Sequence, residues 1–372
     1  MMAHYRCFLV FVTMLEVAAF GVARAEPATS GGGFEIPSER VSADARARGY
    51  VGPRTCANCH VAQYDAYRGS GHPKKLRLAE EARAAGLPLP EGYRWNDISY
   101  VVGGHRWKAR YVDVQGFIIT STGPGRARPG ANQYNLQTGQ WVDYHAGERK
   151  PYDCGGCHTT GYSRDGHQED LPGIIGTWAF PGVTCEACHG PGAAHAKSPS
   201  RNNIRTDGSP EACGQCHVRG NADSIPASGG FIRHHEQYNE LLAGAHTGKI
   251  GCTTCHDPHK RADLSIRVGC ASCHGQQAHD YEGSAKQKAG VTCVDCHMPP
   301  AGKSAVSSGK YVGDVKTHIF RISTGPGDVM FSEDGQLATG KLTLDFACLR
   351  CHADRDMDWA LSRSKGIHAL GK

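Results

Sequence analysis

The chain has 372 residues, with 41 basic and 36 acidic side chains and a formal net charge of +5. Its 48 glycines are about twice the average usage for proteins, and it has 17 cysteines. After the first 25 residues, no run is apolar for long enough to cross a bilayer. Composition therefore excludes a protein with spanning helices, and we expect no transmembrane anchor.

Residues 1–25 have the pattern of a secretory signal peptide. A basic start is followed by an apolar run over residues 8–22 and by Ala-Arg-Ala before Glu26, which fits the small-x-small cleavage rule. An uncleaved membrane anchor is the alternative, but the run is short and contains a glutamate. We expect export to the periplasm or the cell exterior, with residues 26–50, rich in Gly, Ser and Pro, as a flexible leader.

A five-residue pattern, Cys-x-x-Cys-His, occurs eight times along the chain. The remaining cysteine, Cys7, lies in the predicted signal peptide. The cysteines of the pattern are Cys56, Cys59, Cys154, Cys157, Cys185, Cys188, Cys213, Cys216, Cys252, Cys255, Cys270, Cys273, Cys293, Cys296, Cys348 and Cys351, and its histidines are His60, His158, His189, His217, His256, His274, His297 and His352.

This pattern is the attachment sequence of a c-type haem. Two thiols form thioethers to the porphyrin, and the histidine that follows is the proximal ligand of the iron. A disulfide scaffold or a set of zinc ribbons would also use many cysteines. Neither explains a histidine after every Cys-x-x-Cys, so the sequence predicts eight covalent haem c groups.

The interval between the first and second motifs differs from the rest of the chain. We read residues 51–92 as the first haem segment, with a helix over Val61–Arg68, and residues 93–147 as a small β-rich insertion. Irregular loops are the alternative to strands. The β-branched and aromatic runs that predict strands are Ile98–Val102, Trp107–Val114, Phe117–Ser121 and Trp141–His145.

Residues 148–300 hold six motifs, with too little chain between them for a protein core. The haems themselves must supply the core there, and the high glycine content suits a backbone that approaches flat rings closely. Residues 301–372 form a C-terminal segment with the eighth haem, strand-like pieces at 315–322 and 341–344, and a short final helix. The predicted fold is a mostly irregular and α multihaem cytochrome c fold wrapped around stacked haems.

The positive charge does not indicate a nucleic-acid partner. Cleavage after residue 25 removes two arginines and one glutamate, so the balance falls from +5 to +4. Two propionates on each haem outweigh that excess, and many Lys and Arg side chains are expected to pair with them.

The sixth ligand of each iron must come from outside the motifs. Three methionines remain after cleavage, against twelve histidines: His72, His105, His145, His167, His195, His234, His235, His246, His259, His279, His318 and His368. Histidine is a usual haem ligand, so we expect about two-thirds of them to be axial. His256 and His259 are too close in the chain to clasp opposite faces of one porphyrin, so His259 must serve another haem.

Four stretches resemble multihaem cytochromes c related to the nitrification tetrahaem cytochrome and to hydroxylamine oxidoreductase, a superfamily that includes extracellular wire-type cytochromes. They are Ser70–His72, Cys185–His195, Cys252–His259 and Cys293–Pro299. The resemblance implies a distal-ligand role for His72, His195 and His259, and it favours His235 over His234. His246 precedes the fifth motif closely, and His318 and His368 flank the last one. With His145, these complete the predicted distal set.

Three functions remain open. The first is electron transfer through bis-histidine haems between redox partner proteins or terminal acceptors, with self-assembly into a filament as a further hypothesis. The second is an octahaem oxidoreductase of the hydroxylamine oxidoreductase, nitrite reductase or tetrathionate reductase kind, which needs one open haem site. The third is a haem store. Electron transfer is favoured over an enzyme, because fold resemblance does not decide function.

We predict that the mature protein starts at Glu26 and carries eight covalent haems. The mass of the denatured protein should exceed that of the cleaved polypeptide by eight haem groups, because thioethers survive denaturation. A smaller excess would show that at least one motif is empty.

Overall fold

The computed structural model describes residues 37–219, 221 and 223–368, so the predicted signal peptide and the first part of the predicted leader lie outside the described residues. The helices there are short. They are α1 Ala43–Ala47, α2 Pro53–Ala57, α3 Val61–Gly69, α4 Ala79–Ala84, α5 Gly155–His158, α6 Cys185–His189, α7 Ala193–Lys197, α8 Pro210–Gly214, α9 Gln237–Ala243, α10 Cys252–Cys255, α11 Gly275–Tyr281, α12 Ala285–Lys288, α13 Cys293–His297 and α14 Met357–Ser364.

The strands of the same residues form four small sheets. They are β1 Leu76–Leu78, β2 Ile98–Gly103, β3 Lys108–Asp113, β4 Phe117–Ile118, β5 Ser121–Thr122, β6 Arg128–Pro129, β7 Gln133–Asn135, β8 Gln140–Val142, β9 Lys150–Pro151, β10 Thr159–Thr160, β11 Phe180–Pro181, β12 Ile225–Ser228, β13 Phe231–Arg233, β14 Gly302–Lys303 and β15 Leu337–Ala338.

The largest sheet has seven antiparallel strands built around the β2–β3 pair. β1 extends it beside β2, β4 and β9 continue from the end of β3, and the β7–β8 hairpin pairs with the first half of β3. Side chains alternate across a strand, so Tyr100 and Val101 point to opposite faces. Both are buried, and each belongs to a different apolar cluster. The sheet is therefore covered on both faces.

A second sheet, in the order β14-β13-β12-β15, supports the C-terminal part of the chain. Ile225, Ile232, Leu342 and Phe346 are buried together in its core. The eighth motif begins in a π-helical turn, Asp345–Leu349, that packs on this core. The sheet thus positions the last attachment site.

Helix and strand are both present, as the mixed fold predicted from the sequence requires. Strands β2, β3, β4 and β8 occur at the four runs with strand patterns. The pieces at 315–322 and 341–344 are not strands and make only isolated bridges, Gly302 with Val315 and Ile322 with Leu342. The backbone N–H of His318 donates to the Glu240 carboxylate at 2.7 Å, so it is not available to a neighbouring strand.

The end of the predicted flexible leader is folded, which corrects that interpretation for residues 37–50. Ser42 caps α1, and Ala45 packs against Ala179 and Phe180. Glu39 is 8% exposed and accepts hydrogen bonds from side chains of the first haem segment. Polar composition predicted flexibility here, but one apolar face and one buried carboxylate are enough to anchor the segment.

Glu186, inside the third motif, ties two haem segments together. Its side chain is buried, and its carboxylate accepts from the backbone N–H groups of Val51, Gly52 and Gly192 at 3.0, 2.9 and 2.8 Å. Gly52 is the N-cap of α2, which carries the first motif, so the negative charge also faces a helix N-terminus. A single carboxylate therefore joins motifs that are separated by about 130 residues in the chain.

We predict that Glu186→Gln lowers the stability of the holoprotein by about 1–3 kcal/mol, because an amide cannot accept all three bonds and leaves buried donors unpaired. The measurement is the denaturant midpoint followed by far-UV circular dichroism. Glu211→Gln, at an exposed glutamate in the first turn of α8, is the matched control and should leave the midpoint unchanged. Equal midpoints for the two variants would contradict the role of Glu186.

Candidate haem-binding sites

Each attachment motif forms one short turn. The backbone N–H of the proximal histidine donates to the carbonyl of the first cysteine four residues earlier, for example His60 to Cys56 at 2.8 Å and His217 to Cys213 at 2.9 Å. This helical bond places both thiols and the imidazole on one side of the turn. The sixteen motif cysteines are all free. Their arrangement therefore fits the attachment chemistry inferred from the sequence.

Two glycines within the motifs allow the rings of nearby tyrosines to pack against the backbone. A side-chain carbon at Gly155 would lie 2.5 Å from the ring of Tyr162, and one at Gly214 would lie 2.8 Å from the ring of Tyr238. Both distances are shorter than any real contact, so these two motif positions require glycine.

One cavity of about 2840 Å³ is lined by residues of the second to the eighth motifs. A site for a single small cofactor usually has about 300–1,000 Å³. The volume of the cavity in this protein, and its lining with motif residues, fit several haems. The proximal histidines on its wall are His158, His189, His217, His256, His274 and His297.

Several proximal imidazoles are oriented through Nδ1. Three of them bond to backbone carbonyls: His158 to Lys75 at 3.1 Å, His189 to Arg205 at 2.6 Å and His297 to Phe320 at 2.8 Å. Two bond to side chains: His217 to Gln237 at 3.2 Å and His256 to Ser265 at 2.9 Å. Donation from Nδ1 leaves Nε2 unprotonated and free to bind a metal. Sequence reasoning missed these orienting groups, because backbone carbonyls from distant segments leave no motif.

Five of the predicted distal histidines face a proximal imidazole at a common distance. Two imidazoles that bind one ion from opposite sides at about 2 Å have ring centroids roughly 6 Å apart. The observed pairs are His60 with His195 at 6.3 Å, His189 with His259 at 6.3 Å, His256 with His318 at 6.2 Å, His274 with His246 at 5.9 Å and His297 with His368 at 5.9 Å.

The second and fourth motifs share a group of distal candidates. His235 lies 6.5 Å from His158 and 6.1 Å from His217, measured between ring centroids. His72 is half-buried nearby, close enough to His217 for an electrostatic interaction. Burial, followed by neighbouring positive charge, lowers the pKa values of His72 and His158 to about 4. Both imidazoles are therefore neutral at pH 7, which is the ligating form.

His145, also predicted as a distal ligand, is not among these histidine pairs. It is exposed, its Nδ1 is 2.7 Å from Glu148, and its ring packs on Tyr144. In the described part of the chain, no proximal imidazole forms a ring contact with His145. The neighbouring ring of the eighth proximal ligand, His352, is the indole of Trp359 at 4.7 Å.

Cysteines of different motifs lie against one another. Four pairs of thiols lie close enough for each to shift the pKa of its neighbour: Cys56 with Cys185, Cys157 with Cys216, Cys213 with Cys252 and Cys270 with Cys293. Electrostatic interactions connect Cys188 with Cys213, Cys255 with Cys273 and Cys296 with Cys348. Every motif is thus adjacent to at least one other.

A group of basic side chains surrounds the second motif. Lys75, Arg110 and Arg219 all exert a positive field on His158. His234, next to them, accepts from the guanidinium of Arg219 at 3.3 Å. Burial, followed by the charge of Arg110, lowers the pKa of Lys108 to about 7. This concentration of positive charge was not visible in the sequence, because its members come from three separated segments.

Comparison with known proteins agrees with these observations. Residues 131–190 match the family described as cytochrome c554 and c-prime. The multihaem cytochrome MtrA of Shewanella baltica is 26% identical over 32% of this chain and 36% of its own length. The dissimilatory sulfite reductase MccA of Wolinella succinogenes is 21% identical over 74% of this chain and 55% of its own length. The chain therefore spans between a third and just over half of the length of these two relatives.

Two solved structures share the fold. The outer cell wall cytochrome OcwA has a TM-score of 0.57 at 22% identity, with 84% of this chain and 86% of that chain covered. The octahaem sulfite reductase MccA has a TM-score of 0.60 at 18% identity, with 81% and 65% covered. In fold and in motifs the chain is similar to multihaem cytochromes c.

None of the helices in the described ranges is both long and apolar enough to span a bilayer.

We predict that His259→Ala opens the haem held by His189 and leaves the haem of His256 six-coordinate, because His256 faces His318 instead. The ferric protein should gain one high-spin haem by electron paramagnetic resonance. His318→Ala should give a different high-spin species, at His256. His167→Ala is the control, since its Nδ1 is bonded to the carbonyl of Ile174 and no proximal ring adjoins it in the described residues. An unchanged low-spin spectrum for His259→Ala would refute the pairing.

Proposed function

We propose that this protein transfers electrons along a row of eight covalently bound haems. The observation that carries the proposal is the set of contacts between cysteines of different motifs. In the holoprotein each cysteine is bonded to the edge of a porphyrin, so adjacent cysteines from two motifs bring two haem edges together.

The contacts define an order that differs from the order in the chain. They run from the first motif to the third, the fourth, the fifth and so on to the eighth, while the second motif joins the row at the fourth. The haems at His60 and His352 are thus the two ends of the row. The haem at His158 is a branch.

The histidine pairs described above supply the proposed sixth ligands. His195, His259, His318, His246 and His368 serve five irons, and their ring distances support each assignment. His72 then serves the haem of His217, and His235 serves that of His158. Bis-histidine ligation gives lower reduction potentials than His/Met ligation, which suits a relay of low potential. A distal role for His145 stays a prediction.

The site of action and the partners follow from the sequence pattern. The signal peptide of residues 1–25 supports export to the periplasm or the cell exterior, with redox proteins or terminal acceptors as partners. The proposed segment boundaries at residues 50, 92, 147 and 300 divide the row into a first haem, a β-rich insertion, six central haems and a final haem. End-to-end assembly into a filament would extend such a row between copies.

A second candidate function is the reduction of a small oxyanion at the haem of His158. The basic group around this haem supports it, because Lys75, Arg110 and Arg219 could attract an anion. His235 lies slightly closer to His217 than to His158, so it could leave the iron of His158 open. Lys108, with a pKa of about 7, could then donate protons near neutral pH. The relative MccA is named a sulfite reductase.

We predict that loss of the sixth haem cuts the row and that loss of the second does not. Cys270→Ala with Cys273→Ala should slow electron redistribution at least tenfold after flash reduction, because the fifth and seventh haems lose their link. Cys154→Ala with Cys157→Ala removes the branch and is the matched control. His274→Met is a second variant that keeps the haem but raises its potential, so it should trap electrons. Equal rates in all variants would contradict a single row.

The oxyanion function predicts turnover of sulfite or nitrite by the reduced protein. Because Lys108 is protonated below its pKa of about 7, the rate should fall as the pH rises through that value. Lys108→Gln should remove this pH dependence and lower the rate, while Lys197→Gln, at an exposed lysine, should change neither. An absence of turnover, with no spectral response to either anion, would contradict the oxyanion function and leave electron transfer as the single proposed function.

A further inference from the structure

We infer that the haem of His352 takes its sixth ligand from solution, so that one end of the row is an open coordination site for a small nitrogen- or oxygen-donor ligand. This inference rests on the proposed haem loading and concerns a property that the electron-transfer proposal does not require. Its basis is the difference between His352 and the other seven proximal histidines.

The first difference is the ring that accompanies the imidazole. Six proximal imidazoles have another imidazole at 5.9–6.5 Å, and His217 has both His235 and the nearby His72. Every histidine after the predicted signal peptide lies within the described residues. Among them, none makes a ring contact with His352. The ring beside it is that of Trp359, which has no atom able to ligate iron.

The second difference is the distance. The centroids of His352 and Trp359 are 4.7 Å apart, which is less than the roughly 6 Å needed for an iron between two axial rings. The indole therefore packs on the same side of the haem as its proximal ligand. It is not placed to cover the opposite face.

The position of Trp359 is set by packing. Asp356 caps α14, and its carboxylate accepts from the backbone N–H of Trp359 at 2.8 Å. One turn of this helix inserts Ala360, which is fully buried, between Leu344 and Leu349. Rotation of α14 to bring another side chain over the iron would expose this cluster. The indole is consequently held in place beside His352, and no other side chain of α14 takes its position.

A further feature of this site is at Nδ1. Five proximal histidines donate from this atom to an acceptor, whereas His352, like His60 and His274, forms no hydrogen bond through its ring within the described residues. A proximal imidazole with no acceptor is a weaker donor to its metal. The imidazole and both residues that follow it, Ala353 and Asp354, are exposed. Solvent therefore reaches this end of the row.

The location gives the site a role. The eighth motif adjoins the seventh through Cys296 and Cys348 and is the last in the row. An acceptor that binds the iron directly could take electrons there without a separate docking protein. Arg355, which lies over the face of Trp359 at 5.9 Å, is paired with the Asp354 carboxylate at 3.2 Å, so the ligand is defined by its donor atom and not by a negative charge.

The test uses the full holoprotein and imidazole as the probe. In the ferric state, electron paramagnetic resonance should show one high-spin haem among eight, and imidazole should convert it to low-spin. Cys348→Ala with Cys351→Ala should abolish that signal. His352→Met keeps the haem and should alter the signal without creating a second one, which guards against a fold defect in the first variant.

Three outcomes would overturn the inference. Eight low-spin haems in protein whose mass confirms full loading would show that His352 has an internal partner. A high-spin signal unaffected by both variants would place the open iron elsewhere, for example at His158. The wild-type high-spin signal could also disappear as protein concentration rises. If the signal then persists in His145→Ala at the same high concentration, His145 of a second copy supplies the ligand. None of these results depends on the rate of electron redistribution, so the electron-transfer proposal is tested separately.

Discussion

The whole structure depends on a shortage of polypeptide between attachment sites. Six motifs occupy residues 154–297, and every apolar cluster of the described residues includes residues from outside this range. Apolar burial is the main favourable term in folding. A central region without its own side-chain core must obtain that term from the cofactors. The cavity of about 2840 Å³ is where the porphyrins would supply it.

The two sheets act as supports for this central region. The larger sheet buries aromatic side chains such as Tyr100 and Trp178 and presents Arg110 of β3 to the second motif. The smaller sheet holds the turn of the eighth motif. Polar groups make the remaining connections, as the Glu186 carboxylate does between the first and third motifs. Such bonds tolerate no substitution by an apolar residue, because the donors they satisfy are already buried.

The orienting hydrogen bonds connect the fold to its chemistry. An imidazole that donates from Nδ1 is held in one tautomer and one rotation, so its Nε2 points where the iron must be. The acceptors are mostly backbone carbonyls, such as those of Lys75 and Arg205, from segments far from the motif in sequence. Their position depends on the complete fold. The ligand geometry and the fold therefore stabilise each other.

The sequence by itself determined what is local. The turn of each motif, the helix after His60 and the strands around Tyr100 follow from spacing, turn residues and alternation over a few positions. The exclusion of His259 from the haem of His256 was also local, because three residues cannot span a porphyrin. Only the tertiary structure decided which distant histidine faces which motif, that residues 37–50 pack on the body of the protein, and that Trp359 adjoins His352. These contacts join residues far apart in the chain, and their energies depend on burial and orientation that no short pattern contains.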